Sequence, residues 1–313
     1  MTGPRLRRLL TVGLALALGG LTACSSGTTA PSGSASSATS SGGDPISIVA
    51  STNVYGNIAA TIGGDRVKVS SIISSPDQDP HSFEANAGNQ LELSKARVVI
   101  ANGGGYDDFL ATLLKTARNR SATLIDVVKL SGKRAPATGG FNEHVWYDFP
   151  TIARLAAALR TTLTQADPGG ARTFSANAAT FAAGLQALQR REALLKSVAG
   201  GRGVVVTEPV PLYLTEACGL VNKTPAQFSR AIEEGTDVPP LVLAQTLKLF
   251  TAKQVALLAY NEQTGGPQSE KVRAAAKAAG VPVVGVTETL PGGKDYLSWM
   301  AANLDAVKAA VSS

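Results

Sequence analysis

Short apolar and β-branched runs alternate with helix-forming stretches along most of the chain, and they do so in two separate blocks. Several of these runs are almost continuously apolar, which is typical of parallel strands that helices cover on both faces. The alternation predicts an α/β fold with two lobes, each a mainly parallel sheet flanked by helices. The predicted strands span residues 46–51, 67–73, 96–101 and 123–127 in the first block, and 203–207, 255–260 and 282–287 in the second.

The stretch between the two blocks contains no strand pattern. Over residues 171–198 large apolar side chains recur at roughly helical spacing, as Phe174, Phe181, Leu185 and Leu188 illustrate. We interpret this stretch as a long helix that joins the lobes; the alternative is a pair of surface helices in one large domain. The predicted boundaries are 45–166 for the N-terminal lobe, 167–200 for the connecting helix and 201–313 for the C-terminal lobe.

The N-terminus has the pattern of a secretory signal. Three arginines precede an apolar run over residues 9–21, which is shorter than the roughly 20 residues that a membrane span needs. The run ends in Leu-Thr-Ala-Cys, which resembles the bacterial lipobox in which the cysteine is lipidated. We predict a lipoprotein signal peptide over 1–23, followed by a lipidated Cys24 and a flexible tether over 24–44. The alternative is an ordinary signal peptide cleaved near Ala23.

Composition excludes several classes of protein. The formal net charge is +6, but three of the positive charges belong to the signal segment. No Lys/Arg cluster with interleaved aromatic residues occurs, so we expect no nucleic-acid binding. Cys24 and Cys218 are the two cysteines, too few for a disulfide framework or a Cys-rich zinc site. We expect Cys218 to be a small core residue.

The chain has two histidines, His81 and His144, and both fall in predicted loops. Each is followed two residues later by an aromatic side chain, Phe83 or Trp146, that could wall a site and hold the imidazole in place. A histidine in a loop can equally be an ordinary surface residue. We expect Trp146 to serve packing.

Two glutamates follow predicted strands of the second block. Glu208 follows the strand over 203–207, and Glu288 follows the strand over 282–287. Ligands of open α/β sheets bind beyond the carboxyl ends of the strands, so the lobes can present two imidazoles and two carboxylates across one cleft. This donor set suits a divalent first-row metal ion. Either glutamate taken alone can instead be a helix cap, an ion-pair partner or a solvated surface residue.

Four segments, in order, resemble the motifs of one known family. They are Asp-Pro-His-Ser-Phe-Glu at 79–84, Asn-Glu-His-Val-Trp-Tyr-Asp at 142–148, Thr-Glu at 207–208 and Val-Thr-Glu-Thr-Leu at 286–290. With the lipobox, they resemble the metal-binding lipoproteins of ABC importers for zinc and manganese, the family that includes the streptococcal adhesin-type lipoproteins. The resemblance covers about residues 46–311.

This resemblance implies both a fold and a function. It implies two α/β lobes joined by a long rigid helix, and the metal ligands His81, His144, Glu208 and Glu288. The protein is then expected to capture Mn²⁺ or Zn²⁺ outside the cytoplasmic membrane. It is expected to deliver the ion to an ABC-type metal permease and its ATPase, as a lipid-anchored monomer without enzymatic activity.

The sequence departs from the family pattern at three places. Asn142-Glu143 stands where members commonly have Asp-Pro, Glu288 stands where Asp is common, and residues 131–142 lack the histidines of many zinc-specific members. Members with a histidine at the third ligand position tend to bind zinc, so the glutamate at 208 favours manganese slightly, although zinc generally binds nitrogen and oxygen ligands more tightly. Rival interpretations are a surface adhesin, a secreted metallohydrolase, or the same fold with an organic solute.

Overall fold

The computed structural model describes most of the chain after the predicted tether. The described residues are 44–76, 78, 83–84, 86–136 and 140–312. The predicted signal peptide (1–23) and Cys24, the predicted lipidation site, lie outside these residues, as does the predicted ligand His81. Within them, no helix combines the length and the apolar character that crossing a membrane requires.

The first sheet is four-stranded and parallel, and its strands lie in the order β2-β1-β3-β4. The central strand β1 is almost wholly buried, as expected for an apolar run with neighbours on both edges and helices on both faces. Its Ile48 pairs with Val69 on one side and with Val98 on the other. The strands are β1 (Ile46–Thr52), β2 (Val67–Ile73), β3 (Val98–Ala101) and β4 (Thr123–Asp126).

Five helices accompany this sheet. The last of them begins close to His144, and its start is fixed locally: the Asp148 carboxylate accepts a hydrogen bond from the Thr151 amide at 3.0 Å, and Pro150 lies in the first turn. The helices are α1 (Asn53–Gly63), α2 (Ala87–Lys95), α3 (Asp108–Thr116), α4 (Val127–Ser131) and α5 (Phe149–Ala166).

Helix α6 (Ala171–Ala199) has 29 residues and joins the two sheets. It spans about 43 Å at 1.5 Å per residue. A buried stripe that includes Phe174, Phe181 and Leu188 runs along it, which confirms the helical spacing seen in the sequence. The helix ends at Gly200, and Gly201 then takes a left-handed φ of 83°, a conformation that glycine adopts without strain.

The second sheet repeats the arrangement of the first, with strand order β6-β5-β7-β8 and parallel pairing throughout. Its strands are β5 (Gly203–Val206), β6 (Val221–Asn222), β7 (Leu257–Asn261) and β8 (Val283–Val286). Its helices are α7 (Leu212–Ala217), α8 (Ala226–Glu233), α9 (Pro240–Thr251), α10 (Pro267–Ala278) and α11 (Tyr296–Ser312).

All seven predicted strands occur, with ends that differ from the prediction by at most two residues. Strand β6 was not predicted because it contains only two residues, too few to show a pattern. Trp146 and Cys218 are buried core residues, as expected. The single helix Ala171–Ala199 excludes the alternative of two surface helices in this stretch.

One apolar core runs through both lobes. Tyr147 and Trp146 of the first lobe pack against Trp299 and Tyr296 of the second, with ring centroids 5.6 Å apart for Tyr147 and Trp299. Polar contacts reinforce this packing: the Tyr147 hydroxyl donates to the Thr287 carbonyl at 2.9 Å, and the Tyr296 hydroxyl donates to the Trp146 carbonyl at 2.7 Å. The lobes therefore meet over a buried, hydrogen-bonded face.

Candidate metal centre

Glu208 and Glu288 lie at the same edge of the second sheet, each two residues beyond a strand. Glu208 follows β5 and is 1% exposed, and Glu288 follows β8 and is fully buried. Strands β5 and β8 are not neighbours, because β7 lies between them. The two carboxylates therefore flank the end of β7.

Asn261, the last residue of β7, holds the two carboxylates. Its side-chain amide donates to Glu208 Oε2 at 3.1 Å and to Glu288 Oε1 at 2.8 Å. The Thr264 hydroxyl makes a further short hydrogen bond to Glu208 Oε1. Sequence reasoning missed Asn261, although it follows the predicted strand over 255–260 just as the two glutamates follow theirs.

Residues of both lobes form hydrogen bonds with the loop after β8, which carries Glu288. The Gln263 side-chain oxygen accepts hydrogen bonds from the backbone amides of Glu288 at 2.6 Å and Thr289 at 2.9 Å. From the first lobe, the Tyr106 hydroxyl donates to Glu288 Oε2 at 3.1 Å. Burial and the nearby Glu288 carboxylate raise the pKa of Tyr106 well above its usual value, so this hydroxyl remains a donor.

His144 is fully buried and immediately precedes a 3₁₀ turn, Val145–Tyr147. Its Nδ1 lies 2.8 Å from the side-chain oxygen of Asn142, which also accepts the His144 backbone amide at 3.1 Å. Because that oxygen only accepts, Nδ1 is the donor of this contact, and Nε2 is the ring nitrogen that could bind a metal. His144 Nε2 lies 3.8 Å from Glu288 Oε2, so the imidazole presents a metal-binding nitrogen to a carboxylate.

Asn142 also connects the imidazole to the second lobe. Its amide donates to the Pro209 carbonyl at 3.1 Å, and its own carbonyl accepts the Tyr213 hydroxyl at 2.7 Å. Asn142, which stands where family members commonly have Asp, therefore positions the imidazole and has partners in both lobes.

The aromatic residue two positions after His144 lies beside the imidazole, as predicted. The ring centroids of Trp146 and His144 are 5.0 Å apart, and Tyr106 packs at 4.9 Å from Trp146. These rings exclude water from one side of the imidazole.

The structure thus brings together three of the four predicted ligands: His144, Glu208 and Glu288. The fourth, His81, lies outside the described residues. One imidazole and two carboxylates that offset a 2+ charge match the preferences of a divalent first-row ion.

A second group of side chains converges on His144. Ligand atoms of Glu143, His144 and Glu233 lie within 4.8 Å of one another. Burial, and then the charges of nearby carboxylates beginning with Glu143, raise the pKa of Glu233 to about 9; burial also raises the pKa of Glu143. Sequence reasoning missed both glutamates. Glu233 gives no signal in the sequence, because tertiary packing brings the end of α8 to this place.

A cleft of about 1070 Å³ opens between the lobes at this site. The first lobe lines it with Phe141 and Glu143, and the second lobe with Glu233, Gln263 and Thr264, among others. Gln263 and Thr264 also hold the Glu288 loop and the Glu208 carboxylate. The cleft therefore lies against the side chains that hold the buried ligands.

Two α/β lobes that bury an imidazole and two carboxylates beneath a shared cleft define a two-lobed solute-binding protein. The sequence profile of the family described as "ZnuA: Zinc-uptake complex component A periplasmic" matches residues 48–310, and the chain belongs to this family. This is a family of solute-binding proteins of metal uptake, not one of enzymes.

Relatives of known sequence carry related names. The manganese-binding lipoprotein MntA of Halalkalibacterium halodurans is 26% identical over 234 residues, which cover 69% of this chain and 76% of the relative. ScbA of Streptococcus cristatus, named a metal ABC transporter substrate-binding lipoprotein, is 24% identical over 318 residues, which cover 96% of this chain and 97% of the relative.

Solved structures establish the fold. TroA of Treponema pallidum, described as a periplasmic zinc-binding protein, superposes with a TM-score of 0.71 at 19% identity and covers 86% of this chain and 99% of its own. FpvC of Pseudomonas aeruginosa in complex with Mn²⁺ also gives a TM-score of 0.71, at 21% identity, with the same coverage. The chain is a substrate-binding protein of the ABC metal-importer type.

Proposed function

We propose that this chain captures Mn²⁺ or Zn²⁺ in the interlobe cleft and delivers it to an ABC permease that its ATPase drives. The observation that carries the proposal is the burial of His144 Nε2 3.8 Å from Glu288 Oε2, with Glu208 tied to Glu288 through Asn261. The ligands are His81, His144, Glu208 and Glu288. His81 enters through the sequence motif alone.

Preorganisation explains how these residues capture an ion. Asn142 orients the His144 imidazole through Nδ1, while Asn261 and Thr264 orient the carboxylates. Little ordering is then left for the ion to impose, which favours tight binding. The ion itself supplies the positive charge that offsets the two buried carboxylates.

The donor set leaves manganese and zinc in direct competition. Carboxylates favour Mn²⁺, whereas imidazoles suit Zn²⁺, which also generally binds such ligands more tightly. The relatives divide in the same way: MntA is named for manganese, and TroA is described as zinc-binding. We propose Mn²⁺ as the cargo where it is in excess, because carboxylates supply half of the ligands.

We also propose how the protein is held in place. Residues 1–23 are removed as a signal peptide, Cys24 is lipidated, and the tether over 24–44 leaves a monomeric body at the outer face of the cytoplasmic membrane. The naming of MntA and ScbA as lipoproteins supports this. Labelling bacteria with an alkyne fatty acid should mark the wild-type chain and leave Cys24→Ala unlabelled; equal labelling of both would contradict lipidation.

Metal content and competitive titration test the function. The chain without residues 1–24 should bind one Mn²⁺ or Zn²⁺ per molecule by mass spectrometry and calorimetry. Glu288→Ala should lose or greatly loosen that ion, whereas Asp65→Ala, which removes an exposed carboxylate of the first lobe, should not. A folded wild-type protein that binds neither ion would refute the importer function and favour the adhesin.

A further inference from the structure

Glu143 and Glu233 stand outside the four proposed ligands, yet they face the same imidazole. Ligand atoms of these two glutamates and of His144 all lie within 4.8 Å of one another. Glu143 belongs to the first lobe, beside His144, and Glu233 is the last residue of α8 in the second lobe. The group therefore spans the cleft.

The position of this group differs from that of the proposed ligands. Glu143 and Glu233 line the cleft of about 1070 Å³, whereas Glu208 and Glu288 are almost wholly buried beneath it. A cation that enters through the cleft therefore reaches the first pair of glutamates before the second.

Glu233 has a buried carboxylate oxygen that a cation would stabilise. Its Oε1 is buried, and no hydrogen-bond donor reaches it among the residues that the structure describes. A buried carboxylate oxygen without a donor is costly. The nearby carboxylates, Glu143 first among them, make a cation the fitting partner.

We propose that Glu143, His144 and Glu233 form a transit site that binds the incoming divalent cation and passes it to the proposed ligands through His144, which both sets share. This inference rests on the proposed function. The transit site offers three ligand side chains, whereas the proposed final site offers four. The ion therefore binds more tightly at the final site and moves inward. The same residues provide its way out.

Association kinetics test the proposal. Glu233→Gln keeps the size of the side chain and removes the carboxylate that would bind the cation, and Glu234→Gln is the matched control, because Glu234 is an exposed neighbour that lines the same cleft. In stopped-flow mixing with Mn²⁺, Glu233→Gln should slow association by about tenfold and slow dissociation by a similar factor. Glu234→Gln should change both rates less than about twofold, as expected for long-range attraction alone.

Two results would overturn the transit site. One is a Glu233→Gln protein that associates as fast as Glu234→Gln. The other is faster dissociation with unchanged association, which would make Glu233 a ligand of the final site. If the wild-type chain binds no Mn²⁺ or Zn²⁺, the proposed function fails too; if it binds one ion and the two variants behave alike, the transit site alone fails.

Equilibrium binding to a protein with a disabled final site gives an independent measurement. The double variant Glu208→Gln, Glu288→Gln should still bind Co²⁺ weakly, with visible absorption from an imidazole-ligated ion. Adding Glu233→Gln should abolish that absorption, whereas adding Glu234→Gln should preserve it. Absence of Co²⁺ absorption in the folded double variant, or its persistence after Glu233→Gln, would refute the transit site.

Discussion

The two lobes hold their metal-binding side chains in different ways. In the second lobe, Glu208, Asn261 and Glu288 follow three strands of one sheet, and the central amide ties the two carboxylates together. In the first lobe, His144 comes from a loop well beyond the sheet, and Asn142 orients it. The sheet itself preorganises the carboxylates, whereas the imidazole depends on a local side chain and on contacts with the opposite lobe.

The largest expected effect is the loss of the imidazole. His144→Ala removes the one described nitrogen ligand, so the Kd for Mn²⁺ and Zn²⁺ should rise by more than about 100-fold, beyond the 10–100-fold that outer-shell changes cost. Isothermal titration measures this, with Asp65→Ala as the control. Wild-type affinity in a folded His144→Ala protein would show that the carboxylates suffice.

Removing the side-chain amides of Asn261 and Asn142 compares how much each lobe contributes to metal affinity by orienting its ligands. Asn261→Ala frees two carboxylates at once and should weaken metal binding by about 10–100-fold. Asn142→Ala frees one imidazole and should cost about tenfold. Competitive titration with a chelator measures both; a larger loss for Asn142→Ala would mean that the first lobe, not the sheet edge, governs affinity.

Glu192, on the helix that joins the lobes, should make the free energy of unfolding depend on pH. It is 7% exposed on α6, and burial first, then the Asp148 charge, raise its pKa to about 8. Because the folded state favours the protonated form, this group's contribution to the free energy of unfolding is present in acid and declines as the pH rises from about 4.5 to about 8. Glu192→Gln cannot ionise and should be more stable than wild type at pH 6, by on the order of 2 kcal/mol.

Thermal unfolding at several pH values measures this difference. The advantage of Glu192→Gln should shrink as the pH falls toward 4.5 and vanish below it, where the wild-type carboxyl is protonated in both states. A difference that does not change with pH would contradict the shifted pKa.

The smallest expected effect is at the packed face between the lobes. Tyr147→Phe removes the hydrogen bond to the Thr287 carbonyl and should lower the free energy of unfolding by about 1 kcal/mol. Metal affinity should change little, because the aromatic packing stays. Chemical denaturation and titration measure the two quantities; a large loss of affinity would show that this contact also aligns the Glu288 loop.

The sequence allowed prediction of the fold and of the sheet-edge carboxylates for one physical reason. Parallel strands covered on both faces are continuous apolar runs, and the residue after such a run lies at the ligand-binding edge. Glu208 and Glu288 follow that rule. Asn261 follows it too, but an amide carries no metal-binding signal and was passed over.

Other parts of the site could not be predicted because no local pattern encodes them. Glu233 ends an ordinary amphipathic helix, and only packing between the lobes brings it near His144. The partners of Asn142, the Pro209 carbonyl and the Tyr213 hydroxyl, belong to the other lobe. The ligand role of His81 stays a prediction from its motif.

The core that runs through both lobes has a thermodynamic consequence. Because Trp146, Tyr147, Tyr296 and Trp299 belong to one cluster with the stripe of α6, neither lobe can unfold without exposing the apolar surface of the other. Heating should therefore give a single cooperative transition. An ion at 100 times its Kd would add about 2.7 kcal/mol to that one transition, so occupancy of the cleft protects the whole folded body against heat and proteases at once.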